Sequence, residues 1–363
     1  MMININTKQI NKKRVSGLDG LRAFAVILIL LYHLFPNLFK GGFVGVSLFF
    51  ALSGYLVAWT SFKASAEGRY SVKEYYWKRV KRIYPALFLV VFFSAGIYWL
   101  MNPMILDGRK KEILSIFLGL DNYFQISQNA DYFTKAVSAS PFTHLWAIAI
   151  EMQFYLAWPI LFSVFKRWKK ISPKQSNYLW LGLILVSVIV IQFTYRPDQI
   201  MPAYYGTISR MSSLFLGVSL ASFQWNSSYQ DRFLLPGKYY ALVLLILSVL
   251  MIFWMNGQSP WTYRIGLLMS SIVSVEWIRL CSNNASGIGK KLEIPILKWL
   301  NRFSYEIYLW QYPVLFVFQY YHLDQWPLMW ILIAACIIGL ANYSHDFLEQ
   351  ILFVLIGSKK VKS

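Results

Sequence analysis

The sequence predicts an all-α integral membrane protein of about ten transmembrane helices with one short re-entrant or interfacial segment, and three observations predict it. Hydrophobic residues are 57% of the 363 and charged residues only 14%, against roughly 25% charged in soluble domains. Apolar runs such as 23–35 and 239–255 recur along the whole length, which excludes a soluble domain on one anchor. The Lys and Arg residues behind the net charge of +19 fall between those runs. They gather on no single basic element, so the charge reads as topology and no nucleic-acid partner is expected.

Each span is placed by the ~20 residues that cross hydrocarbon. They fall at about 20–39, 43–62, 83–101, 143–165, 177–195, 205–224, 239–256, 262–280, 303–321 and 328–356. With the N-terminus inside, the inner segments hold 26 of the 35 basic residues, among them Lys8, Lys12, Lys13 and Arg14, and the outer loops hold six. That asymmetry puts both termini in the cytoplasm. It requires that the apolar stretch 113–126, about 14 residues long, does not fully cross. The polar, basic start lacks an A-x-A-like cleavage site, so the first span is expected to stay as a signal anchor. No internal repeat and no duplicated halves are apparent, and the chain is expected to form one membrane domain over 1–363. The two cysteines, Cys281 and Cys336, imply neither a disulfide framework nor a metal pair.

Ionisable groups at membrane depth cost several kcal/mol unless paired or hydrated, which makes each a candidate. They are Arg22, His33, Glu151, Arg210, Arg264, Glu276, Glu306, His345, Asp346 and Glu349. Snorkelling or a structural pair is the ordinary explanation for most. Arg22 and His33 are eleven residues apart, which on a helix is one face and about 16 Å of rise. Arg22 would then lie near the inner entrance and His33 deeper, an arrangement suited to an anionic donor, although a lone histidine also serves helix packing. Arg79 and Arg82 are neighbours on a helical face and can grip phosphates, although from composition alone positive-inside charge or anionic-lipid contact is the simpler explanation. His144 and Glu151, seven apart, can face one cavity with Tyr155, and Arg210, His33 or a substrate hydroxyl would each partner Glu151. His345, Asp346 and Glu349 supply one histidine and ill-placed carboxylates, so no metal site is expected. The familiar soluble catalytic motifs are absent.

Five blocks in order resemble the bacterial acyltransferase-3 membrane family. They are Gly17-Leu18-Asp19-Gly20-Leu21-Arg22 with His33 beyond it, Phe49 to Tyr55 (FFALSGY), Arg79 to Pro85 (RVKRIYP), Thr143-His144-Leu145-Trp146 with Glu151, Gln153, Phe154 and Tyr155, and Ser304 to Pro313 (SYEIYLWQYP). Tyr343 and Glu349 fall where the family's final span carries an aromatic and a glutamate. Two departures stand out. The paired glutamates of the family become Glu151-Met152, and its late Trp-His becomes Trp310-Gln311. Some members append an extracytoplasmic esterase-like domain, which is not expected in this chain.

The resemblance implies a membrane O-acyltransferase of the bacterial cell membrane. It would move an acetyl group from cytoplasmic acetyl-CoA to a hydroxyl of a cell-surface polysaccharide or its lipid-linked precursor, directly or through a separate extracytoplasmic transferase. Arg79 and Arg82 would hold the CoA phosphates and Arg22 would favour the anionic donor. His33, with an ordinary imidazole pKa of ~6.5, would act as general base or accept the acyl group covalently. Glu151 would orient or charge-balance it, with Ser53, Tyr155 and Arg210 in support. The rival reading is a multispan polysaccharide flippase, exporter or polymerase-like protein without acyl chemistry.

Overall fold

The computed structural model describes residues 17–129, 132–133, 140–171, 177–225, 236–283, 286–323 and 326–356. Backbone N–H and C=O groups in lipid must be satisfied within the segment, so apolar runs of this length fold as helices. In chain order these are α1 (Leu18–Leu34), α2 (Val44–Ala66), α3 (Val72–Met101), α4 (Lys110–Phe117), α5 (Asp121–Ser127), α6 (Trp146–Ile171), α7 (Tyr178–Thr194), α8 (Met201–Tyr205) and α9 (Thr207–Trp225). There follow α10 (Gly237–Trp254), α11 (Leu267–Ser282), α12 (Ile288–Lys291), α13 (Pro295–Arg302), α14 (Ser304–Tyr320) and α15 (Pro327–Ile356). A 3₁₀ turn, Thr143–Leu145, leads into α6, and a π turn, Thr262–Gly266, leads into α11. No strand occurs among the described residues beyond an isolated bridge of Arg196 with Gln199.

Among the described residues, six helices are long and apolar enough to cross a membrane: Val44–Ala66, Val72–Met101, Thr143–Lys170, Gly237–Trp254, Thr262–Ser282 and Leu328–Ile351. The other predicted spans are helical but differ in kind. Helices α1, α7 and α14 have 17 residues each, about 26 Å of rise against ~30 Å of hydrocarbon. Helix α9 carries Ser209, Arg210, Ser212, Ser213, Ser219 and Ser222 on its buried surface. Boundaries also moved. Helix α1 stops at Leu34 and not near 39, because Phe35 precedes Pro36 and that position disfavours helical backbone. Helix α3 begins at Val72, eleven residues before the predicted span, since the basic stretch before Ile83 is helical too. The stretch 113–126 falls into two short helices, α4 and α5, neither of which is long enough to cross. The basic residues ahead of Ser16 and beyond Ile356, and Lys135, lie outside the described residues.

The chain divides into two compact units, Met1–Tyr76 with Ile150–Asn301, and Trp77–Ala149 with Arg302–Ser363. In the first unit α2 is the centre and is buried along nearly its whole length. It crosses α9 at a pair of glycines. A Cβ at Gly54 would stand 2.0 Å from the Leu214 carbonyl oxygen, and one at Gly217 would stand 2.0 Å from that of Ala51. Small residues let membrane helices approach to backbone contact, where hydroxyls then bridge them. Ser213 and Ser271 are 2.6 Å apart, Ser270 donates to Ser47 at 3.0 Å, and Trp158 Nε1 donates to Ser61 Oγ at 2.9 Å.

In the second unit α14 packs on α15, with Trp310 Nε1 donating to Ser344 Oγ at 3.1 Å. His345 Nδ1 lies 3.1 Å from Glu306, and its Nε2 lies 3.4 Å from Glu349. Helices α4 and α5 fold back on each other around fully buried Glu112 and Asp121.

Candidate functional site

Glu151 is the centre of the polar core of the first unit. It sits on the first turns of α6, is buried, and accepts hydrogen bonds at one oxygen, Oε1, from both Ser53 Oγ of α2 and Tyr155 OH at 2.5 Å. Tyr155 reaches it because residues four apart stack on one helix face. Both donors are neutral hydroxyls, one from α2 and one from α6 itself.

A proline sharpens this geometry. Pro159 lies inside α6 and has no N–H for the carbonyl four residues back, that of Tyr155. Tyr75 OH donates to that carbonyl at 3.2 Å, and Tyr76 OH donates to the next one, Leu156, at 2.8 Å. Two tyrosines from the start of α3 therefore hold the kinked turn that carries Tyr155. The orphan carbonyl is readable from Pro159 alone, but which side chain would satisfy it is not.

His33 occupies the last turn of α1, buried, with its ring edge-on to Tyr32 at 5.1 Å. From Tyr32 a chain of edge-on rings runs through Phe43 at 5.9 Å to Tyr204 at 6.1 Å. The Arg210 guanidinium stands over the Tyr204 ring at 5.1 Å. A buried guanidinium on an aromatic face keeps attractive electrostatics where water is absent. Tyr204 had no signal in the sequence beyond its place in the pair Tyr204-Tyr205. Thr207 donates to Gln153 at 2.6 Å, tying α9 to α6 beside Glu151.

Arg22 is on α1 with His33, so one helix carries both. Asp19, in its first turn, accepts from Asn301 at 3.0 Å. Arg79, half-buried, and Arg82, exposed, sit on successive turns of α3 in the second unit. Glu151 is thus joined by hydrogen bonds to Ser53 and Tyr155, while Arg210 is held by Tyr204.

His144 stands in the 3₁₀ turn ahead of α6, so the 100° step that would relate it to Glu151 does not carry through. Its Nε2 lies 3.2 Å from the carbonyl of Leu309, which Pro313 leaves without an intrahelical donor in α14. Its ring stacks on Tyr312 at 4.6 Å, and Tyr308 OH donates to the His144 carbonyl. A carbonyl only accepts, so Nε2 carries the proton. Gln311, at the position where the resembled family has histidine, is fully buried in the same helix.

Sequence reasoning passed over Glu112 and Asp121, which lie outside the long apolar runs. Gln125 Nε2 bridges them, at 2.9 Å to Glu112 and 3.1 Å to Asp121. Glu112 also accepts from Ser140 at 2.6 Å and pairs with Arg109 at 3.2 Å. Burial, and next the charge of Glu112, push the Asp121 carboxyl well above the usual carboxylate range. No group of three metal-ligating side chains occurs among the described residues.

A sequence model of the acyltransferase-3 family, described as an acyltransferase domain, matches residues 15–341. The chain belongs to this family. It is 33% identical over 319 residues to the peptidoglycan O-acetyltransferase OatA of Listeria monocytogenes, covering 85% of this chain and 50% of that protein. It is 32% identical over 351 residues to the putative peptidoglycan O-acetyltransferase YrhL of Bacillus subtilis, covering 93% and 54%. With the O-acetyltransferase OatA of Staphylococcus aureus the identity is 32% over 353 residues, covering 94% and 58%. The chain therefore spans about half the length of the curated relatives it matches. No solved structure matches. Ser53, Glu151 and Tyr155, drawn from two separate family-like blocks of the sequence, meet at one carboxylate oxygen.

Proposed function

We propose that this chain is a multi-pass membrane O-acetyltransferase of the bacterial cell membrane, moving acetyl from cytoplasmic acetyl-CoA to a hydroxyl of a cell-surface glycan. Peptidoglycan is the first acceptor to test, because relatives at 32–33% identity carry that name. In this reading the chain crosses the membrane ten times with both termini inside, and the basic loops face the cytoplasm. The observation that carries the chemistry is the buried Glu151 carboxylate held by two neutral hydroxyls in the unit that also buries His33.

Arg79 and Arg82 bind the CoA phosphates, and Arg22 draws the anionic donor towards α1. His33 takes the proton from the acceptor hydroxyl as its oxygen attacks the thioester carbonyl. The C–S bond breaks, and the proton passes to the departing CoA thiolate. In the covalent variant the His33 nitrogen attacks the thioester and CoA leaves as thiolate; the acceptor hydroxyl then attacks the acetyl-imidazolium, the C–N bond breaks, and the hydroxyl proton passes by way of the freed imidazole to the thiolate. Either way a positive imidazolium or acyl-imidazolium forms, and the last turn of a helix presents unsatisfied carbonyls to such a cation. Glu151 balances that charge, with Ser53 and Tyr155 fixing its orientation and Arg210 positioned for the acyl oxygen. Transfer is direct, or passes through a separate extracytoplasmic transferase.

The test compares surface-glycan ester content by NMR among a deletion strain, its parent, and the deletion complemented with His33→Ala at matched protein level. Loss of O-acetyl signal in the deletion and in the His33 variant is expected. Normal acetylation in the variant would overturn the role of His33. Binding of CoA to purified protein that weakens on changing Arg79 or Arg82 supports the donor site, and its absence favours a non-acylating exporter.

A further inference from the structure

The first unit holds an apolar cavity of about 160 Å³ that none of the chemistry above uses. Its walls come from four helices, with Phe24 and Leu28 of α1, Leu48 of α2, Leu245 of α10, and Val273 and Trp277 of α11. Phe24 is 39% and Leu245 48% exposed, so the cavity opens sideways, through the face that lipid would cover. Polar atoms are few. Ser248 accepts from Trp277 Nε1 at 3.0 Å and Ser274 donates to the Ser270 carbonyl at 2.6 Å, so these hydroxyls are turned to the protein.

One end of the cavity is closed by Leu292 and Leu297. The backbone there runs hard against α1, since a Cβ at Gly20 would stand 2.5 Å from the Leu292 carbonyl oxygen. This floor is also the charged end. Lys290 and Lys291 are exposed and directly precede Leu292, and Lys238 is exposed at the start of α10, where Gly237 packs on Ser286. Lys238 is seven residues from Leu245, about 10 Å along the helix. The segment next to the floor is amphipathic and has its apolar side uncovered, with Ile294 at 45%, Ile296 at 53% and Trp299 at 42% exposure. Exposed isoleucine and tryptophan beside lysine fit the membrane interface, where aromatic side chains and lysine anchor.

An apolar slot open to the lipid face, with exposed lysines directly before its Leu292 end and at the start of α10, has the shape and charge of a single kind of occupant. We propose that it binds an anionic phospholipid, one acyl chain in the slot and the phosphate at Lys238, Lys290 and Lys291. Charge selects the anionic class, because a zwitterionic lipid gains little from a basic rim. The expected topology places this rim at the inner leaflet, where basic side chains attract anionic lipid.

The test uses the full chain reconstituted in nanodiscs of mixed phosphatidylethanolamine and phosphatidylglycerol, then released into detergent, with co-purifying lipid quantified by mass spectrometry. Phosphatidylglycerol is expected to be enriched over its share in the disc. Exchanging Lys238, Lys290 and Lys291 for Gln should cut that enrichment by about fivefold per lysine. All three are exposed, so the fold should tolerate the change. Leu245→Trp, at an exposed mouth residue, should plug the slot and reduce retention of lipid with the lysines intact. Equal enrichment of phosphatidylethanolamine, or unchanged retention in either variant, would overturn the assignment. The readout is lipid, not acetyl transfer, so it stands or falls apart from the enzyme reading.

Discussion

Two buried acidic regions are satisfied in opposite ways. In the first unit Glu151 accepts from two hydroxyl donors at one oxygen. In the second unit Glu112 and Asp121 share one amide, and Arg109 pairs with Glu112. The first arrangement fixes one carboxyl oxygen between two neutral hydroxyls. The second lowers its cost by keeping the Asp121 proton, as burial and the neighbouring acid dictate. The same contrast separates the two histidines, since His33 sits at a helix end in the unit of Glu151, while His144 spends its Nε2 proton on the carbonyl that Pro313 orphans.

The largest test of that contrast exchanges each histidine for alanine. His33→Ala should lower glycan acetylation by about 10²–10⁴-fold with protein level unchanged, the range of a lost general base. His144→Ala should instead lower thermal stability in detergent by about 1–3 kcal/mol, because a buried carbonyl loses its donor. Equal losses of activity per folded molecule would erase the distinction. Next comes the scaffold under Ser53. Gly217→Ala puts a methyl 2.0 Å from the Ala51 carbonyl oxygen and should cost about 3 kcal/mol, read as a fall in folded protein by size-exclusion fluorescence.

Glu151→Gln keeps the volume and removes the charge. Acetylation should fall on the order of 10- to 100-fold, as expected for hydrogen bonds to a charged group, with Ser53→Ala and Tyr155→Phe each smaller. A double-mutant cycle should give a sum of the two single effects that differs from the double variant, because both hydroxyls serve one oxygen. Additive effects would show that they act elsewhere.

The smallest effect is a pH dependence in the second unit. A carboxyl whose native pKa is raised binds its proton more tightly folded than unfolded, so its contribution to stability falls as pH rises from the unfolded towards the folded value. Asp121→Asn should therefore melt later than the parent at neutral pH, by about 2–4 °C for each kcal/mol relieved, and match it near pH 4. A gain that persists unchanged at low pH would contradict the assigned protonation.

Much of the site was legible as residue types and little of it as contacts. His33, Glu151, Arg22 and Arg210 stand out because charge inside apolar runs is costly. The hydroxyl partners of Glu151 did not stand out, since the partners expected from the sequence were Arg210, His33 or a substrate hydroxyl. Periodicity could not be counted from His144, which stands in a 3₁₀ turn ahead of α6. The buried pair Glu112 and Asp121 was hidden because the apolar stretch 113–126 is too short to cross and so does not mark these charges as deep.

Composition and hydropathy alone determined that this is a helical chain built for lipid, because unpaired backbone groups are forbidden there whatever the side chains do. The order of the motif blocks determined the family. Which hydroxyl reaches Glu151, which ring carries Arg210 and which side chain replaces the hydrogen bond lost at Pro159 were decided only by packing. Those choices depend on distances between helices far apart in sequence, and the close crossing at Gly54 and Gly217 sets them for α2 and α9.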